Sequence, residues 1–191
     1  MKTLKFFTMI GLLFCSINLS AQGDLSQEDK SLIISKIKSN LTEVETTLNK
    51  IVNRQFSRST KEFFLRGAIE DLFFKQYETR VQVTDSKGRI TTPEGYRIWD
   101  YFHNLIRLDY DQVVIKFEKI VDDFEFEYKG GNLYESSVTF LQHFVGWKDG
   151  RKTIDDYTYK ISVVQIEIIE KNKINIKFGD LWVTEIKTNQ K

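Results

Sequence analysis

Cysteine and proline are nearly missing from the 191 residues: Cys15 and Pro93 are the only ones. A single thiol excludes intrachain disulfides, paired-thiol redox chemistry and cysteine-built zinc sites. Histidine is almost as scarce, with only His103 and His143. They lack the close helical spacing of a zinc motif, so no metal site is expected. No G-x-G-x-x-G run or P-loop occurs, and no cofactor is expected. Ser136 and Ser137 sit in a strand pattern without the glycine-flanked turn of a hydrolase nucleophile. Charge of either sign is not in excess, at net +1, so bulk attraction to nucleic acid is excluded. With one proline and ten glycines, the body of the chain is not low-complexity.

What is present begins with an export-like leader. Lys2 and Lys5 precede a mostly apolar stretch, Phe6 to Ile17, of 12 residues. As a helix it would reach about 18 Å, short of a hydrocarbon core of about 30 Å. Leu19-Ser20-Ala21 supplies small and aliphatic residues for cleavage after Ala21. Residues 1–21 are therefore expected to be a secretory signal peptide, and residues 22–191 a single domain, periplasmic or secreted. Phe14 before Cys15 disfavours a lipid anchor, because a lipobox wants a small residue there. The Leu-Ser-Ala-Gln ending resembles leaders of Gram-negative envelope proteins. Loss of Lys2 and Lys5 leaves 26 basic against 27 acidic residues, a net −1. No later apolar run reaches membrane-spanning length.

Aromatics are the second abundance, at 14%. Such rings cover large areas in sheets and pocket walls. Ser26 to Asp29 reads as a helix cap, and Ile34, Ile37, Leu41, Val44, Leu48 and Ile51 recur at a 3-4 spacing. That stripe is expected to pack on the domain, being too short for a coiled-coil seam. Ser59 to Glu62 repeats the capping pattern, before an apolar face containing Phe63, Phe64, Ile69 and Leu72. Arg80–Thr84 and Arg89–Thr91 read as a hairpin, and Thr92 with Pro93 as the start of a third helix. From Asp111 the apolar period becomes two. Strands are expected through Val113–Phe117, Phe124–Tyr128, Tyr134–Phe144, Thr153–Ile169 and from Ile174, with a bulge at Gly179-Asp180. The fold class is α+β: helices packed on a curved, mainly antiparallel sheet.

This order, together with Arg97-Ile98-Trp99-Asp100-Tyr101-Phe102 ahead of the strands, resembles the nuclear transport factor 2-like cone. Ketosteroid isomerase-like and polyketide cyclase-like enzymes share that superfamily. The resemblance spans Ser26 to Ile186 and implies a pocket inside the curved sheet, with dimerisation through the sheet in many members. It supplies no function, and no catalytic residue is carried over from it.

The candidate chemistry lies on two neighbouring strands. Asp155, Tyr157 and Tyr159 share one face, and Asp156, Thr158 and Lys160 the other. If the first set faces the concave side, it meets Gln142 and Phe140 in a pocket. A Tyr–Asp pair held in an apolar site can stabilise an enolate, which makes Asp155, Tyr157 and His143 the catalytic candidates. Trp147, Tyr157, Tyr159, Gln142 and Phe140 are the ligand-binding candidates, Trp147 as an aromatic anchor at a hairpin end. The alternative for all of them is a solvated strand entrance and ordinary sheet packing. The expected function is a non-catalytic binding domain for a small molecule or an envelope protein. The alternatives are an isomerase- or cyclase-like enzyme and a self-associating structural subunit, the latter a homodimer.

Overall fold

The computed structural model describes residues 24–85, 89–170 and 173–187; the expected leader lies outside them. Helix α1 (Gln27–Val52) starts where Ser26 accepts a hydrogen bond from the Asp29 backbone N–H. Its buried face runs through Ile33, Ile37, Leu41, Val44, Leu48 and Ile51, so the stripe begins at Ile33 and not Ile34. That face packs inside the chain, as a domain helix does. Helix α2 (Arg58–Leu72) is capped one turn fragment earlier than expected, by Ser57 accepting from the Thr60 N–H. On this helix Phe63 is 75% exposed, while Leu65, Ala68, Ile69 and Leu72 are buried.

The short strand β1 (Arg80–Val81) pairs with β2 (Tyr96–Arg97), and the expected hairpin reduces to one bridge, Thr84 to Ile90. Its turn, residues 86–88, lies outside the described residues. Pro93 does not open a helix. Gly95 adopts φ +70° and reverses the chain into β2, and α3 (Ile98–Ile106) starts directly after it. Helix α3 buries Ile98, Tyr101, Phe102 and Leu105.

Strands β3 (Gln112–Glu118), β4 (Glu127–Gly130), β5 (Leu133–Lys148), β6 (Arg151–Glu170) and β7 (Lys173–Lys187) follow. The sheet order is β2-β1-β7-β6-β5-β3, with β4 also on β5. All pairings are antiparallel except β1 with β7. Phe124 and Phe126 precede β4 and stack at 6.3 Å against the core edge, so only the end of that expected strand pairs.

The long strands curve because bulges interrupt their ladders, and the three helices fill the concave side. One bulge is at Gly179-Asp180, as expected. There Ser162 faces Leu181 and Val164 faces Phe178, so β7 carries one extra residue. Gly179 is required by packing: a Cβ would sit 2.9 Å from the Phe74 ring. Asp180 uses the bend to accept hydrogen bonds from the Arg80 N–H at 2.8 Å and Lys75 Nζ at 2.7 Å. No helix among the described residues is long and apolar enough to cross a membrane.

Candidate functional site

Side chains directly opposite each other on neighbouring strands share a face. The β5–β6 register pairs Phe140 with Lys160, Gln142 with Thr158, Phe144 with Asp156 and Gly146 with Ile154. This set faces the helices. The alternate set pairs Leu141 with Tyr159, His143 with Tyr157 and Val145 with Asp155, and lies on the outer face.

The expectation that Asp155, Tyr157 and Tyr159 meet Gln142 is therefore corrected. The cause is a single residue. Lys148–Arg151 and Trp147–Lys152 follow the two-residue turn, and that register would carry Gln142 opposite Tyr157. The ladder then shifts between Trp147 and Gly146. Thr153 is the extra residue, with its hydroxyl donating to the Gly146 carbonyl. Because side chains alternate with period two, this one-residue slip exchanges the faces of β6.

On the outer face the structure does bring three candidates together. His143 Nε2 lies 2.7 Å from Asp155 Oδ1, and the His143 ring stacks on Tyr157 at 4.0 Å. Lys152 also binds Asp155, and these two hydrogen bonds, the lysine's first, hold the carboxyl below its ordinary range. His143 Nδ1 is 3.7 Å from Glu118. None of these residues lines the cavity on the opposite face of the sheet. Trp147 is half-buried beside it, its carbonyl accepting from the Asp111 N–H. Tyr159 is half-buried on the same face, and Phe140 is wholly buried in the core against Phe117.

The inner face holds a cavity of about 330 Å³. Helix α3 and its exit supply Tyr101, Asn104, Leu108 and Tyr110, and the segment around Thr84 and Thr91 closes one side. Strands β5 and β6 form the floor through Gln142, Phe144, Ile154, Asp156, Thr158 and Lys160. Gly146 makes room for one wall, since a Cβ there would press at 3.2 Å on the Tyr110 ring.

Lys160 lies at the deep end, only 2% exposed. Its Nζ donates to the Gln82 backbone carbonyl at 2.5 Å and sits 5.9 Å from the centre of the Tyr101 ring. No carboxylate pairs with it among the described residues. Burial without a counter-charge disfavours the ammonium and lowers its pKa to about 7. Burial also raises the Tyr101 phenol, which stays protonated. Asp156, nearer the mouth, is pushed up by burial and then by the neighbouring Asp155 charge. Gln82 itself is pinned: its amide N–H donates to Pro93 and its side-chain oxygen accepts from the Val183 N–H.

Sequence reasoning placed Asp156, Thr158 and Lys160 on one face and passed over them. The signal available was parity with Val164 and Ile166, whose even positions continue to Lys160. It was masked by Ile161, Val163 and Ile169 on the odd positions.

No protein-family model matches the chain, and no curated protein matches it. A solved structure from Novosphingobium aromaticivorans, described as a candidate scytalone dehydratase, overlays 84% of this chain and 90% of its own. The two are 10% identical with a TM-score of 0.43, a likeness too loose to bear on the site. The α+β architecture of curved sheet and helices rests on the elements themselves.

Proposed function

We propose that the chain binds a small, mainly apolar molecule in the cavity between α3 and the inner face of β5 and β6. The observation that carries this reading is unused hydrogen-bonding capacity. The side chains of Tyr96, Tyr101, Asn104, Tyr110, Gln142 and Asp156 all face this space. None has a hydrogen-bond partner within the protein among the described residues. These groups are open to the cavity and not committed to the fold, and a few polar side chains converging in a mainly apolar cavity is the usual form of a ligand site. Nothing in this reading draws on residues 1–21.

A neutral fluorophore small enough for the space, 1-aminoanthracene, tests it. The wild-type chain should raise its fluorescence on saturable binding. Asn104→Trp, which places a large ring at the mouth, should abolish that signal with the melting temperature unchanged. Failure of the wild type to bind, or full binding by the variant, would remove the cavity reading.

A proton-transfer enzyme is the second reading, now centred on Lys160 and Asp156 in place of Asp155, Tyr157 and His143. Their opposite shifts bring an amine and a carboxyl toward the neutral range that acid–base work needs. It ranks second because they stand four positions apart on the strand, about 13 Å, so no single reacting atom is held between the two.

A further inference from the structure

Among the described residues Lys160 has no carboxylate partner, and it is only 2% exposed to solvent. It is the single cation among the described residues of the cavity lining, and Asp156 is the single acid. An anionic ligand would meet one desolvated ammonium and a carboxyl of its own sign, with no second cation among the described lining residues to share the charge. Burying such a pair costs more than it returns unless further donors satisfy it. A neutral ligand avoids that cost, and a primary amine offers a neutral ligand one particular chemistry. Lys160 Nζ spends one N–H on the Gln82 carbonyl, which fixes the amine at the cavity floor. Its remaining valences are left for the cavity side. With its pKa lowered to about 7, a large share is free amine near neutrality, the nucleophilic form.

We propose that Lys160 captures a carbonyl compound, an aldehyde or ketone with a mainly apolar body, and holds it as an imine on Nζ. This rests on the cavity being the ligand site. In the step, the Nζ lone pair adds to the carbonyl carbon to give a carbinolamine. The C–O bond then breaks and the oxygen leaves as water, its two hydrogens supplied by the amine's two N–H bonds, so the hydrogen bond to the Gln82 carbonyl is given up in the neutral imine. Protons pass through neighbouring hydroxyls and return, so none is consumed and no oxidant or reductant takes part. Tyr101 and Thr158 line the same space, and the raised phenol of Tyr101 stays an O–H donor for the departing oxygen. Tyr110 and Phe144 pack edge to face on each other, 6.4 Å between ring centres, and give the cavity an aromatic wall for an apolar body.

Cinnamaldehyde is the probe. The native chain is incubated with it, reduced with borohydride and digested, and adducts are mapped by mass spectrometry. The amine at Lys160 should be labelled several-fold more than exposed lysines such as Lys116 and Lys119. Unfolding in urea before incubation should erase that preference, since it comes from the cavity. Lys160→Met should lose this adduct alone, with labelling of the exposed lysines unchanged. Labelling of Lys160 at or below the exposed lysines, with 1-aminoanthracene still bound by the wild type, overturns imine capture and leaves the binding reading standing. Loss of both overturns both.

Discussion

Lys160 also dictates how stability should respond to pH. In the unfolded chain its amine titrates at its ordinary value near 10.5, and in the fold at about 7. Between those values the unfolded state holds more protons, so stability rises as pH rises from about 7 to about 10.5. Below about 7 both states are charged, and the full cost of burying the ammonium is present. Lys160→Met should therefore stabilise the protein at pH 6, by about 1–3 kcal/mol, as removal of an uncompensated buried charge does. The gain should shrink toward pH 10. Urea unfolding at pH 6 and pH 10 measures both values. A variant less stable than wild type at pH 6, or an advantage that grows with pH, would contradict the burial account. The contrast with Asp155 is instructive, because its carboxyl is exposed to Lys152 and His143 and is lowered by them. Two acids adjacent in sequence thus have opposite shifts, set by which face of β6 they occupy.

At the scale of elements, the bulge at Gly179-Asp180 joins β1 and the segment after it to the main sheet. Gly179→Ala drives a Cβ into the Phe74 ring, and overpacking of this kind costs about 1–3 kcal/mol. Asp180→Ala instead leaves the Arg80 N–H without its carboxylate partner. Gly179→Ala should lower the denaturation midpoint at unchanged m-value, and a midpoint equal to wild type would show that Phe74 moves aside freely. This bulge was legible in the sequence, because an isolated Gly-Asp interrupted an otherwise alternating strand. The first helix was legible because its 3-4 apolar spacing is unbroken over many residues, and the long strands because β-branched and aromatic residues run between clear turn signals. The bulge at Thr153 carried no such mark. Threonine is an ordinary strand residue, and Asp149-Gly150 only announces a tight turn. The register beyond that turn decides which of Asp155 and Asp156 faces the cavity, and sequence pattern alone supports either. The second and third helices were displaced by similar local competition, Ser57 capping in place of Ser59 and Gly95 turning the chain after Pro93.

For the whole molecule, the cavity follows from a mismatch of lengths. Strand β6 has 20 residues, about 66 Å of contour, whereas α1 has 26 residues and spans about 39 Å. Helix α1 fills the concave side over Val164, Ile166 and Ile176, and the nine-residue α3 covers the hairpin end incompletely. Helix α1 has a second task at the sheet's margin. Strand β3 is the terminal strand, and its outward backbone groups would template another chain if left open. Asn49 closes that edge from α1, donating to the Ile115 carbonyl at 2.7 Å and accepting from the Ile115 N–H at 3.0 Å. Glu45 accepts from the Phe117 N–H at 2.5 Å. Asn49→Ala removes both partners of Ile115 at a half-buried position, for about 2 kcal/mol. In a domain of this size that is a fall of about 4–8 °C in melting temperature. The opened edge should also shift sedimentation toward larger species as concentration rises. If Asn49→Ala melts and sediments as the wild type does, water satisfies the edge unaided and α1 is held by its apolar face alone.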